Sequence, residues 1–319
     1  MVHRACAERL FSLCLCSALA CRPDGSGRAP EPVEPPPKPL RAADYAHLLP
    51  PELTLVMGMD VAALQRTAAW DNVMQAMQQN QEFYAPLAAC ELGPEAWHHL
   101  LFGMVPPSDD EQLPTLVMVI DGDDVGTPQK VECLVESTSQ VREKPLTPTP
   151  DGLGYTAEGA ATLYPISADA LVLTTNDVAA DVRARMDQGG PSVFDDALQS
   201  AAARTDMEEQ LWVVGTMPDL PELSPGIRMQ NFSGSFNFDH GMRVSVALGV
   251  DTPESAATAQ SFFVKQLPYF MAVGGAMGVP KDIFERTEIG TRGNAVTMDG
   301  SITPEEFEEI QAQIEASRP

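Results

Sequence analysis

From residue 55 onward the chain alternates two patterns. Stretches with every second residue apolar give way to stretches whose apolar residues recur at every third or fourth position, the periods of half-buried strands and amphipathic helices. "TLVMVIDGDDVGTPQKVECLV" (115–135) predicts a strand, a turn and a helix opened by Thr127-Pro128. "RVSVALGVDTPESAATAQSFF" (243–263) predicts the same order, with Thr252-Pro253-Glu254 opening its helix. Proline suits a first helical position because the N–H it lacks would be unpaired there.

The parallel extends both ways. Each segment follows a strand, "HLLFGMV" (99–105) in one case and one arm of a hairpin in "SGSFNFDHG" (233–241) in the other. Downstream, "ADALVLTTNDVAADVRARM" (168–186) predicts a strand and a helix capped by Asn176, matching "GNAVTMDGSITPEEFEEIQ" (293–311). Upstream, "LVMG" (55–58) mirrors "WVVG" (212–215). The first copy continues into a long amphipathic helix carrying Val61, Leu64, Val73, Met74 and Met77. The second has "PDLPELSPG" (218–226), whose prolines forbid one. The expected fold is α+β, with two related modules, 45–207 and 208–319, joined near 205–210. Each is a mainly antiparallel sheet covered by helices, and the pattern leaves open whether they form one body.

The segment "VTMDGSITPEEFEEI" (296–310) places Asp299, Gly300 and Glu306 as the second half of an EF-hand would. The first and third ligand positions of that loop are Ala295 and Thr297, which removes the carboxylates calcium needs. The same residues predict a strand through Val296 and Met298, a turn at Asp299-Gly300, and a helix with Thr303 as N-cap. Glu306 completes a capping box, and Phe307, Ile310 and Ile314 supply an apolar stripe.

The first twenty residues change the picture. Arg4 and Arg9 precede an apolar run from Leu10 to Ala20, too short to span a bilayer but suited to a signal peptide (1–20). Cleavage after Ala18-Leu19-Ala20 would expose Cys21. This resembles the lipobox of bacterial lipoproteins, which implies that Cys21 is acylated; an ordinary secreted protein beginning with cysteine is the alternative. Residues 21–44 are rich in proline and read as an extended tether. A net charge of −25 repels nucleic acid and anionic headgroups, so membrane contact is expected through acyl chains.

Of six cysteines, only Cys90 and Cys133 lie in the body. In an oxidising envelope compartment they are expected to pair, the alternative being two buried thiols. Little else points to chemistry. His98 and His99 are adjacent and point apart on a strand, so they predict no metal site, and His240 sits in a hairpin turn. "DGDD" (121–124) reads as an exposed turn, and no G-x-S-x-G elbow or phosphate loop occurs. "LPYFMAVGGAMGVP" (267–280) is apolar and rich in glycine and methionine. It is expected either as plain core or as the wall of an apolar pocket lined by Phe263, Leu267, Phe270, Met271 and Met277.

With its lipobox, tether and segments such as "VMGMDVAAL" and "TPEEFEEI", the chain resembles the uncharacterised lipoproteins abundant in myxobacteria. That resemblance implies an envelope location, the outer membrane expected ahead of the inner, and offers no known activity or catalytic residues to carry over. The expectation is a non-catalytic, cofactor-free protein binding an apolar ligand or an envelope partner. An envelope hydrolase with an unrecognised site is the alternative.

Overall fold

The computed structural model describes residues 41–67, 69–107, 114–142, 145–157, 161–217, 227–276 and 279–316. The signal sequence, Cys21, "PDLPELSPG" and Met277 lie outside them. The body opens with a 3-10 helix at Ala42–Leu48, in which Ala42 is buried and Asp44 exposed, so the fold begins within the last residues read as tether.

Twelve strands form one antiparallel sheet. They are β1 (Leu55–Asp60), β2 (Trp97–Val105), β3 (Thr115–Gly122), β4 (Thr147–Pro148), β5 (Tyr155–Ala157) and β6 (Ala161–Ser167). Then come β7 (Ala170–Thr175), β8 (Leu211–Thr216), β9 (Met229–Asn237), β10 (Met242–Val250), β11 (Glu288–Arg292) and β12 (Ala295–Ile302). Their spatial order is β11-β12-β10-β9-β8-β1-β2-β3-β7-β6-β5-β4. The two halves of the chain therefore share a single sheet, joined where β1 pairs with β8. Mixed helix and antiparallel sheet is the α+β class expected from the alternating periods.

Both faces are covered, but differently. The front carries α2 (Trp70–Gln79), α3 (Gln81–Ala89), α4 (Pro128–Arg142), α7 (Pro253–Ala276) and α9 (Pro304–Ala316). Leu87 and Val131 pack there with Ile120 and Leu171, and Phe307 packs with Leu211 and Met242. On the back, Tyr45 and Leu48 of the 3-10 helix join Val182 of α5 (Ala179–Gln188) over Val119, Val172 and Trp212. The short α6 (Gln199–Ala202) follows them. The helix after β7 thus covers the back, whereas the helix after β12 covers the front.

Several local expectations change. The single long helix after β1 is three pieces, α1 (Val61–Leu64), α2 and α3. Asn80 leaves helical geometry at φ −95°, ψ 74°, and the chain bends there. The expected turn at Asp299-Gly300 is strand interior: β12 continues to Ile302, and Asp299 accepts a 2.6 Å hydrogen bond from Ser245. Thr303 and Glu306 do form the capping box, at 2.9 and 3.3 Å. Asn176 is not a cap, because its amide reaches Ala157 O at 3.0 Å and Val178 occupies the N-cap position.

Candidate functional site: an apolar cavity under two linked helices

The helices α3 and α4 lie side by side on the front of β3, β7 and β6. Both present apolar residues to the sheet, and each is joined to the other through the Cys90–Cys133 disulfide, with Cα atoms 5.7 Å apart. Cys90 caps α3 and Cys133 lies in the second turn of α4, so the bond ties the end of one helix to the start of the other. Away from that bond the helices leave a cavity of about 110 Å³. Its floor is Met118, Ile120, Leu163, Leu171 and Leu173. Its roof is Phe83 and Leu87 of α3 with Leu134 of α4. Ala157 and Ala161, directly paired between β5 and β6, also line it, where larger side chains would fill the space.

Thr138 is the one hydroxyl-bearing side chain in this lining, and no charged group contributes to it. A wall of this kind binds by excluding water from apolar surface and offers nothing for proton transfer or nucleophilic attack. By comparison, an engineered apolar cavity of roughly 150 Å³ takes up benzene. The volume suits a ring or the end of an alkyl chain.

Of the residues expected to line a pocket, none of the described ones (Phe263, Leu267, Phe270 and Met271) is in this lining. Phe263 packs against the cluster formed by Val250, Ala256 and Val296, edge-on to Phe262 at 5.7 Å. Leu267 and Met271 are half-buried, and Phe270 is 41% exposed. The fully buried side chains of α7, Ala256 and Ala259, lie in its first two turns. Farther along, Val264, Tyr269 and Val273 point outward, so this helix carries most of the large exposed apolar side chains among the described residues. The apolar run is a sheet-packed helix whose far end faces away from the core.

A second constellation is polar and buried. Tyr45 donates to Asp121 Oδ1 at 2.8 Å, and His99 Nδ1 lies 3.0 Å from Asp121 Oδ2. Burial, then the hydrogen bond to Asp121, pushes the Tyr45 phenol well above its ordinary value. No serine or cysteine is hydrogen-bonded to this trio among the described residues, and its members are all buried. It pins the 3-10 helix to β2 and β3. His98 points to the other face, 3.3 Å from Asp123. "DGDD" is therefore split: Asp121 lies buried one residue before the end of β3, and the exposed Asp123 and Asp124 form the turn. Among the described residues no three His, Cys, Asp or Glu side chains are grouped to hold a metal ion, and no helix is long and apolar enough to cross a membrane.

The cavity was not visible in the sequence because its walls come from α3, α4, β3, β5, β6 and β7. The available signals were the cysteine pair that brings the two helices together and the two alanines opposite them.

No protein-family model and no curated protein matches the chain. Among solved structures it is similar to TP0453 in crystal form IV, at 10% identity and a TM-score of 0.48, over 86% of this chain and 96% of that one. Crystal form I of TP0453 gives 8% identity and a TM-score of 0.49, over 85% of this chain and 96% of that one.

Proposed function

We propose that this chain is a lipid-anchored protein of the bacterial cell envelope that holds an apolar ring or alkyl chain under α3 and α4 without catalysing a reaction. The observation that carries the binding reading is the cavity's lining, apolar on every side apart from Thr138. The anchoring reading rests on the lipobox-like run ending at Cys21. The hydrolase alternative finds no support in the buried Tyr45–Asp121–His99 trio, to which no serine or cysteine is hydrogen-bonded among the described residues.

The two-module architecture belongs to the same proposal. What supports it is connectivity: outward from the central pair, β1-β2-β3-β7-β6 and β8-β9-β10-β12-β11 follow one another in the same order. In both halves a helix beginning at proline, Pro128 or Pro253, follows the third strand. The copies then diverged by the β4–β5 addition at one edge and by the opposite placement of α5 and α9.

Titration of the purified full chain with N-phenyl-1-naphthylamine, whose fluorescence rises in apolar surroundings, tests the binding. Saturable uptake is expected. Ala161→Phe, which projects a ring into the cavity, should weaken it about tenfold, equivalent to excluding roughly two methylenes of contact. Absent saturation, or an unchanged affinity in Ala161→Phe, overturns the reading.

A further inference from the structure

Across the back of the sheet a ladder of directly paired residues runs Val172, Val119, Leu101, Gly58, Trp212, Ser235, Ser245, Asp299. The next ladder runs Val56, Val214, Ser233, Ala247, Thr297. Both are apolar as far as β8 and mostly polar beyond it. The change coincides with the coverage. The 3-10 helix and α5 cover the first half of the back, while α9 has crossed to the front and, among the described residues, leaves the second half with little more than α6. A sheet face left open this way needs only ordinary exposed polar residues. What it has is more specific.

Ser233 is 2% exposed and Ser235 8% exposed, and neither hydroxyl is hydrogen-bonded to another described residue. Both line a recess with Arg204, Ser245, Thr297 and Arg292, whose volume of about 10 Å³ suits a single water. Arg204, which follows α6, donates to the Asn231 amide oxygen, but its Nε is buried without a partner. No described carboxylate forms an ion pair with it, and burial pushes the guanidinium below its ordinary value. Arg292, from the end of β11, likewise has no ion pair among the described residues. In a chain with 45 acidic and 20 basic residues, two arginines converging without a carboxylate partner are unexpected.

The recess opens into a groove of about 290 Å³, where Arg243, Asp206, Glu209 and Asp299 form the outer lip. These carboxylates have other partners: Asp299 takes the Ser245 hydroxyl, Glu209 the Asn237 amide and Arg243, and Asp206 the Glu208 amide. At its inner end the groove is lined by the Ser235 hydroxyl and the Arg204 and Arg292 guanidiniums, donors that no described carboxylate takes up. Donors from three separate segments match a tetrahedral oxyanion better than a flat carboxylate, and guanidinium groups bind phosphate oxygens in pairs.

We propose that the inner end of this groove, at the mouth of the recess, binds a phosphate group, with Ser235, Arg204 and Arg292 as its donors. The site is on the opposite face of the sheet from the apolar cavity and stands independently of it. The phosphate could be free or the headgroup of a soluble ester, and the two are separable by titration.

The test is calorimetric titration of the full chain with inorganic phosphate and, separately, with glycerol phosphate. Saturable binding is expected with at least one of them, weakening as salt is added. Tighter binding of inorganic phosphate assigns the free ion, and tighter binding of glycerol phosphate assigns an ester. Arg292→Gln alters an exposed residue and should fold normally while lowering affinity about tenfold, the loss of a charge-assisted hydrogen bond. Ser235→Ala should lower it as well. No saturable binding of either probe, or wild-type affinity in both variants, overturns the assignment.

Discussion

Gly58 and Trp212 stand directly opposite each other where β1 pairs with β8, and the indole occupies the space a side chain at 58 would need. A Cβ on Gly58 would lie 2.2 Å from two carbons of the ring. Trp212 is among the largest fully buried side chains, so the ring has no free room to retreat into. Gly58→Ala should lower unfolding stability by about 1–3 kcal/mol, the usual cost of overpacking a tight core. Urea denaturation measures it. A stability equal to wild type would show that the central seam repacks without strain.

The disulfide closes a loop with a sequence separation of 43 residues. On the chain-entropy model its loss removes about 4 kcal/mol of stability. The double variant Cys90→Ser, Cys133→Ser should therefore unfold at lower urea, and it should bind the naphthylamine probe more weakly because α3 and α4 are no longer tied. Unchanged binding alongside lower stability would place the disulfide's role in folding alone.

How far these features could be read from the sequence depended on whether their partners were local. Thr303 and Glu306 are three residues apart and cap one helix, so the pattern alone identified them. Thr252 likewise caps α7 through Ser255 N at 3.1 Å. Asn176 looks like a cap by position, yet its amide is taken by Ala157, nineteen residues earlier, a contact created by the β5–β6–β7 meander. Asp299-Gly300 looks like a turn because both residues are uncommon inside strands. It is tolerated there because Ser245, the directly paired residue, satisfies the carboxylate. The break at Asn80 carried no proline or glycine to mark it. The arginine recess was less legible still, since its donors come from β9, β11 and the segment after α6.

Anchoring is tested by Cys21→Ser in the full precursor. The variant cannot accept a thioether-linked lipid, and the acidic body offers no basic surface to hold it on anionic membranes. It should move from the detergent phase to the aqueous phase in Triton X-114 partitioning, while the wild type stays with detergent. Equal partitioning of the two would remove the lipid anchor from the proposal.

The turn between β4 and β5 supplies a prediction with a defined pH window. Asp151 accepts hydrogen bonds from the Thr149 hydroxyl at 2.6 Å, Leu153 N at 3.1 Å and Arg183 Nε, on α5, at 2.9 Å. The Thr149 hydroxyl is the largest influence and, with the Leu153 amide, holds the carboxyl at about 2, against an ordinary 3.8. Each of these contacts favours the ionised form. A depressed folded-state value means that the unfolded chain takes up the proton first on acidification. The stabilisation is therefore complete above the ordinary value and is lost as pH falls from about 4 towards about 2. Because Asp151 is exposed, the effect on global stability should be small, and the carboxyl titration itself is the better readout. Carbon-detected NMR of the Asp151 carboxyl should give a midpoint near 2 in the wild type. Thr149→Val should raise that midpoint more than Arg183→Gln does, since the hydroxyl contributes more than the solvent-screened guanidinium. The reverse order would mean that the ion pair to α5, and not the turn itself, sets the acidity of this residue.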